Sequence, residues 1–117
     1  MTTYRLLNSA MMPAPGLYRY SEIFSETFAS IVKDAHARGV LVSYIGYPQT
    51  AEMITRLTGV PIEVSRTQTP VEDGDVLLIA KLRYRVGDPA LKGQQMPDDF
   101  VFGMAQYTVA KKGGSHA

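Results

Sequence analysis

The chain has 117 residues, of which 45% are hydrophobic and 20% are charged, as in an ordinary globular domain. Twelve Lys and Arg nearly balance eleven Asp and Glu, and the formal net charge is +1. A long nucleic acid duplex requires a basic face and is not expected as a partner, whereas a small anion can still bind in a local pocket.

Missing sequence patterns exclude further classes. Zero Cys excludes disulfides and thiolate metal sites. No apolar run reaches the length of a membrane span, and the first residues do not join a charged segment to an apolar one as a secretion signal does. We therefore expect a cytoplasmic protein that does not contact a membrane.

The amino-terminal third predicts two strands and a helix. Residues 4–7 form a short strand that ends in the polar pair Asn8 and Ser9, and residues 17–23 alternate weakly, as a second strand does. Asn8 and Ser9 either bond to the local backbone or present an amide and a hydroxyl to a ligand. From Ser25, the expected N-cap, apolar residues recur with the helical period until Gly39 ends the helix.

A strand, a tight turn and a second helix follow. Residues 40–45 are predicted to be a buried strand, and Pro48 opens a helix that Gly59 closes. The free N–H groups of a first helical turn, with the positive end of the helix dipole, can bind an anion, and Tyr47 would lie on the rim of that site. The alternative is a plain strand-to-helix turn in which Tyr47 is a half-buried aromatic side chain.

The middle of the chain predicts two more strands. Residues 62–67 alternate as a half-buried strand does, and residues 76–80 are apolar enough for the central strand of a sheet. That strand continues to Arg83 and Arg85, whose guanidinium groups suit phosphate recognition, and the carboxylate of Asp88 follows. The alternative is that both arginines are the solvated end of an outer strand and that Asp88 caps a turn.

These elements predict one domain over residues 6–110, in the α/β or α+β class, with a single mixed β-sheet of about five or six strands flanked by helices. Residues 100–109 are the last strand, and residues 111–117 are predicted to be a disordered tail. Zinc, EF-hand, P-loop and dinucleotide signatures are absent, and neither His36 nor His116 has a partner at metal-ligand spacing. We expect no metal and no cofactor.

Six collinear segments carry a family resemblance over most of the chain. In order they are Leu6-Leu-Asn-Ser9, Val42-Ser-Tyr-Ile-Gly-Tyr-Pro-Gln-Thr-Ala51, Leu57-Thr-Gly-Val60, residues 76–80, Leu82-Arg-Tyr-Arg-Val86 and Asp88-Pro89. Their order and spacing resemble the small viral and prophage proteins that include the viral ring nucleases, whose characterised members are type III anti-CRISPR proteins. The resemblance implies a homodimer or higher oligomer that binds cyclic tetra-adenylate at a twofold interface. It also implies that the ring is cut without a metal, by attack of a ribose 2′-hydroxyl on the neighbouring phosphate.

The resemblance also implies roles for single residues. The family's catalytic His, in its Ser-x-Gly-His pattern, falls on Tyr47, its catalytic-loop Arg on Arg85 and its loop Glu on Asp88. Its early Asn and small polar residues fall on Asn8 and Ser9. With the helix start and the arginine pair included, the predicted ligand-binding residues are Asn8, Ser9, Gly46, Pro48, Gln49, Thr50 and Arg83.

Tyr47 is the position where the chain departs from this family. A phenol is protonated at neutral pH and can donate a hydrogen bond to a phosphate or leaving oxygen, but it cannot take up a proton there as an imidazole can. General acid–base catalysis contributes about 10²–10⁴ in rate, so the resemblance supports nucleotide binding more strongly than turnover.

Three functions therefore stay open. The first is a ring nuclease in the host-cell cytoplasm that antagonises a nucleotide-signalled antiviral defence. The second is a sponge that sequesters the cyclic nucleotide without cutting it. The third is a small protein-interaction module whose arginine pair contacts another protein.

Overall fold

The described part of the chain forms one five-stranded mixed sheet with two helices. The structure is a computed structural model that describes residues 2–9, 15–67, 70–83 and 96–109. The strands are β1 (Tyr4–Leu7), β2 (Gly16–Ile23), β3 (Leu41–Ser43), β4 (Val76–Leu82) and β5 (Phe100–Val109), and the helices are α1 (Ser25–Ala37) and α2 (Pro48–Thr58). A turn of 3₁₀ helix, Pro97–Asp99, precedes β5. The predicted fold class is confirmed.

The strand order places parallel strands side by side on one half of the sheet. The order is β2-β5-β4-β1-β3, so β4 is the central strand, as the sequence predicts. β1 runs parallel to β3 and to β4, whereas β5 runs antiparallel to β2 and β4. The carboxyl ends of β1, β3 and β4 therefore meet at one edge of the sheet.

An apolar core lies between the two helices and one face of the sheet. Its buried residues are Leu6, Phe28, Val32, Ile45, Ala51, Met53, Ile54, Val60, Leu78, Ala80, Phe100 and Phe102. Phe100 and Phe102 share a face of β5, and the ring centroids of Phe102 and Phe28 lie 4.6 Å apart. Burying one such side chain stabilises the fold by roughly 1.5–3 kcal/mol, so this core fixes α2 on the sheet and determines where its first turn lies.

The helices begin close to their predicted positions, with one correction. Ser25 is the first residue of α1 and not its N-cap, which is Phe24. The prediction is wrong because the Ser25 hydroxyl donates to the Glu26 carboxylate, at 2.7 Å, instead of accepting a backbone N–H of the first turn. α2 begins at Pro48 as predicted and ends at Gly59, whose φ of 77° lies in the left-handed region that favours glycine. Neither described helix is long and apolar enough to cross a membrane.

Two predicted strands differ from the structure. The buried strand predicted at 40–45 is the three-residue strand β3, which lies at the edge of the sheet and leaves Val42 39% exposed. The strand predicted at 62–67 is an extended segment that pairs with the rest of the described chain through one bridge, between Val64 and Ile45. Alternation of side chains is a local property, whereas a ladder also needs a partner strand in register. We call residues 62–66 the strap.

The other face of the sheet carries a smaller apolar cluster and a buried ion pair. The cluster consists of Leu7, Leu77, Ile79 and Ala105. Beside it, Nε of Arg5 donates to Oδ2 of Asp75 at 2.8 Å, and the two side chains are 8% and 3% exposed. Arg5 also donates to the hydroxyl of Tyr44 at 3.2 Å.

Candidate functional site

Most of the described site residues that the sequence predicts lie where the three parallel strands end. Asn8 and Ser9 directly follow β1, Gly46 and Tyr47 lie beyond β3, and Arg83 follows β4. In open α/β sheets, ligands bind in the crevice outside the carboxyl ends of the strands. The structure therefore brings these residues to the edge of the sheet at which a ligand site is expected.

The turn at Gly46 is held from two sides by side chains that are distant in sequence. The N–H of Gly46 donates to Oδ1 of Asn8 at 3.0 Å. The carbonyl of Gly46 accepts a hydrogen bond from Nε of Arg66, also at 3.0 Å. Tyr47 follows with an extended backbone, φ −107° and ψ 121°, and its side chain is 58% exposed. Tyr47 is therefore more exposed than the half-buried aromatic side chain that the alternative of a plain turn expects.

The first turn of α2 offers backbone donors to an anion. Tyr47 is the N-cap and makes no side-chain capping bond, and no acidic residue occupies this turn. The first backbone bond of the helix is the one from Ala51 N–H to the Tyr47 carbonyl, at 3.1 Å. The N–H groups of Gln49 and Thr50 precede it and have no acceptor within the helix. Thr50 as a whole is only 3% exposed, so neither its side chain nor its N–H is open to solvent, and the partly exposed Gln49 is the more accessible donor of this turn.

Arg83 lies at the same edge but contacts a different part of it. Its Nε donates to the Asp98 carbonyl at 3.0 Å, and its N–H donates to the Asp99 carbonyl at 2.9 Å. β1 separates β4 from β3, which places the ends of those two strands roughly 10 Å apart. The structure does not show Arg83 in contact with the Tyr47 turn, and its role in ligand binding stays a prediction.

Arg83 lines an open cleft of about 530 Å³ whose other charged residues are Glu22, Glu26 and Asp98. The pKa of the Tyr20 phenol is raised, chiefly by burial and to a smaller extent by the negative charge of Glu22. Three carboxylates around one guanidinium make this cleft a poor site for a phosphate.

Two predicted catalytic residues, Arg85 and Asp88, lie outside the described residues, as does the predicted tail at 111–117. Ser9 is described and exposed. Within the described ranges, no three His, Cys, Asp or Glu side chains lie close enough together to hold a metal ion.

Sequence reasoning missed Arg66. It treated residues 62–67 as an ordinary strand, whereas the strap lies beside the end of β3 and places Arg66 against Gly46. The strap is anchored independently, because Ser65 N–H donates to the Ile45 carbonyl at 2.8 Å and Ile62 N–H donates to the Thr55 hydroxyl of α2 at 3.0 Å. In the sequence, Arg66 is a basic residue on an alternating segment, and this pattern does not indicate that it contacts Gly46.

Comparison with known proteins assigns the chain to a family. A sequence model of the STIV B116-like family matches residues 4–96, which include β1 to β4 and every residue of the candidate site. The chain belongs to the STIV B116-like family. No curated protein matches the sequence.

A solved structure supports the same assignment at the level of the fold. B116 of Sulfolobus turreted icosahedral virus superposes on the chain with a TM-score of 0.73, over 88% of this chain and 97% of the viral protein. The two sequences are 18% identical, a level that shows a shared fold and not a shared activity. The family model and the solved structure together place this chain in a viral protein family.

Proposed function

We propose that this member of the STIV B116-like family binds a cyclic oligoadenylate second messenger and degrades it without a metal, so that it antagonises a nucleotide-signalled antiviral defence. The observation that carries the proposal is the Gly46-Tyr47-Pro48 turn. It presents an exposed phenol and the free N–H groups of a helix start at the carboxyl edge of the parallel strands. Tyr47 occupies the position of the catalytic His in the ring nucleases that the sequence resembles.

The chemistry of this turn suits a phosphodiester. The start of α2, where the N–H of Gln49 has no acceptor within the helix, supplies positive potential, and no acidic residue lies in the first turn of α2. In the proposed reaction a ribose 2′-hydroxyl gives up its proton to water and its oxygen attacks the adjacent phosphorus. The bond to the 5′-oxygen breaks, that oxygen takes a proton, and the products are a 2′,3′-cyclic phosphate and a 5′-hydroxyl. Tyr47 would donate a hydrogen bond or a proton to the leaving oxygen, and Arg85 would stabilise the charge on the phosphate.

A second candidate function is a sponge that holds the ring without cutting it. The observation that favours it is the phenol at position 47, because the imidazole that takes up protons in the ring nucleases that the sequence resembles is missing. Helix N–H groups and guanidinium groups bind phosphates without a general base.

Both functions involve a twofold homodimer. A tetranucleotide ring has near-twofold symmetry, and an isologous dimer presents the same patch twice around one axis. Two copies of Tyr47, Arg85 and Asp88 would then line one pocket. Light scattering at micromolar concentration should give twice the 12.9 kDa of one chain, and a monomer at all concentrations would contradict this arrangement.

Incubation of the purified protein with labelled cyclic oligoadenylates tests the proposal. A linear product supports the ring nuclease, and an intact ring that stays bound supports the sponge. Absence of any association contradicts both and leaves the protein-interaction module.

A further inference from the structure

Gly46 connects two peptide groups, and each of them is held by a side chain. The peptide that joins Ile45 to Gly46 is held through its N–H by Asn8, and the peptide that joins Gly46 to Tyr47 is held through its carbonyl by Arg66. Glycine has more backbone freedom than any other residue. With both neighbouring peptides fixed, the two backbone angles of Gly46 are fixed as well.

The two holding side chains come from parts of the fold that are anchored elsewhere. Asn8 follows β1, which is paired with the central strand β4. Arg66 ends the strap, whose Ile62 N–H donates to the Thr55 hydroxyl of α2 at 3.0 Å. The turn therefore lies between two supports that are anchored on different elements.

The direction of Tyr47 depends on these supports. Tyr47 directly follows the held carbonyl and is the N-cap of α2, with most of its side chain in solvent. A rotation about Gly46 would move the phenol and the entrance to the first turn of α2 together. Fixing a donor in place before the ligand arrives reduces the entropy that binding must overcome.

We propose that Asn8 and Arg66 are positioning residues that fix the Gly46 turn and so hold Tyr47 in the orientation that meets the ring. This inference rests on the proposed function for its effect on the ligand, but the fixed turn itself is a property of the free protein. Arg66 then acts through its hydrogen bond to Gly46 and not chiefly through its charge.

One substitution separates the hydrogen bond from the charge. In Arg66→Gln the side-chain amide nitrogen stands where Nε stands in arginine, so it can still donate to the Gly46 carbonyl, but it carries no charge. Arg66→Ala removes both. If positioning is the role, Arg66→Ala weakens binding of synthetic cyclic tetra-adenylate about tenfold and Arg66→Gln restores most of that loss.

The matched control is Arg56→Ala, which removes an exposed arginine from the last turn of α2. It changes the net charge as Arg66→Ala does and should leave binding measured by titration calorimetry unchanged. Salt dependence provides a second readout. A direct phosphate contact by Arg66 would lower the slope of log K against log salt by about 0.7 in Arg66→Ala, whereas a positioning role leaves that slope unchanged.

Amide hydrogen exchange tests the turn without a ligand. In the free protein the N–H of Gly46 is protected by Asn8, so Asn8→Ala should speed its exchange about tenfold while the melting temperature and circular dichroism stay those of the unchanged protein. Unchanged exchange of Gly46 in Asn8→Ala would overturn the inference. So would equal losses of affinity in Arg66→Gln and Arg66→Ala. If the unchanged protein binds no cyclic oligoadenylate, the proposed function fails and the exchange result alone decides the inference.

Discussion

Two polar clusters lie near opposite ends of the parallel strands β1 and β4, and each contains one arginine. Near the amino ends, the Asp75 carboxylate accepts three hydrogen bonds. Nε of Arg5 and the backbone N–H of Glu72 each donate to it at 2.8 Å, and the backbone N–H of Thr3 donates at 3.3 Å. Beyond the carboxyl ends, Arg66 bonds to the carbonyl of Gly46 beside the exposed ring of Tyr47.

The clusters differ in burial and in how completely their polar groups are used. The Arg5–Asp75 pair is almost fully buried, and one carboxylate satisfies three donors. At the Tyr47 turn, the phenol faces solvent, and the first helical turn contains no acidic residue. A buried charge without a partner destabilises the fold, whereas an exposed donor can bond to water when no ligand is bound. We infer that the first cluster maintains the fold and the second is available for binding.

The largest expected effect is at the carboxyl end. Tyr47→His restores, at the N-cap of α2, a side chain that takes up and releases protons near neutral pH. Because general acid–base catalysis contributes about 10²–10⁴ in rate, cleavage of the cognate ring should rise by up to that factor. The rate should also vary between about pH 5 and pH 8, which single-turnover assays with labelled ring can measure.

Tyr47→Phe is the control for that experiment. It should lower turnover if the phenol gives a proton to the leaving oxygen, and it should change affinity alone if the protein is a sponge. A Tyr47→His variant that binds the ring as the unchanged protein does, yet cuts it no faster at any pH in that range, would show that Tyr47 does not occupy the catalytic position. The sponge would then be the better description.

A substitution in the cluster near the amino ends should change the stability of the protein and leave ligand binding unchanged. Asp75→Asn keeps the shape of the side chain but leaves the Arg5 guanidinium buried without its counter-charge, which should cost about 3–5 kcal/mol of unfolding free energy. Asp34→Asn is a close control, because the Arg38–Asp34 pair has the same Nε–Oδ2 distance of 2.8 Å but is 49% and 65% exposed. Urea unfolding should show a far smaller loss for that pair. Similar losses in both variants would contradict the role given to burial.

The sequence predicts those parts of the fold whose signals are local. Pro48 and Gly59 bound α2 where expected, and the uninterrupted apolar run of β4 identified the central strand. Both signals depend only on neighbouring residues. The prediction was less accurate for the strap. Its sequence has the alternating pattern of a strand, but its one bridge depends on a residue distant in sequence, Ile45, which lies just beyond β3.

The two clusters could not be predicted, for the same reason. Arg5 and Asp75 are 70 positions apart, and Arg66 and Gly46 are 20 positions apart. In the sequence Asp75 only ends a polar turn, and nothing near it indicates a buried cation. The start of α2 was predicted because Pro48, two residues after Gly46, marks it locally, whereas the side chains that hold the Gly46 turn are brought there by the folded sheet.

Arg85→Ala should have the third largest effect. If Arg85 binds a phosphate of the ring, its loss removes a charge-assisted hydrogen bond worth about 1.5–3 kcal/mol per site. Arg85→Lys should recover only part of the affinity, because the planar fork of donors is lost. Titration calorimetry with the fold verified by circular dichroism measures this, and unchanged affinity in Arg85→Ala would place the phosphate contact elsewhere.

The smallest effect is expected at Gly46, and its sign tests whether the turn is fixed. A Cβ added there would meet Cγ of Arg66 at 3.6 Å and Oδ1 of Asn8 at 3.8 Å, which are ordinary contacts, and Gly46 does not have a positive φ. Gly46→Ala should therefore stabilise the protein by about 0.4–1 kcal/mol, because the unfolded chain loses freedom that the folded turn does not use.

Gly103→Ala is the contrasting variant in the sheet. Its Cβ would overlap the ring of Tyr20, which packs over Gly103, so Tyr20 must move and stability should fall by about 1 kcal/mol. Thermal unfolding of both variants measures the difference in sign. Destabilisation by Gly46→Ala, or weaker ring binding in that variant, would mean that the turn needs the freedom of glycine. Asn8 and Arg66 would then hold only one of several conformations that Tyr47 adopts.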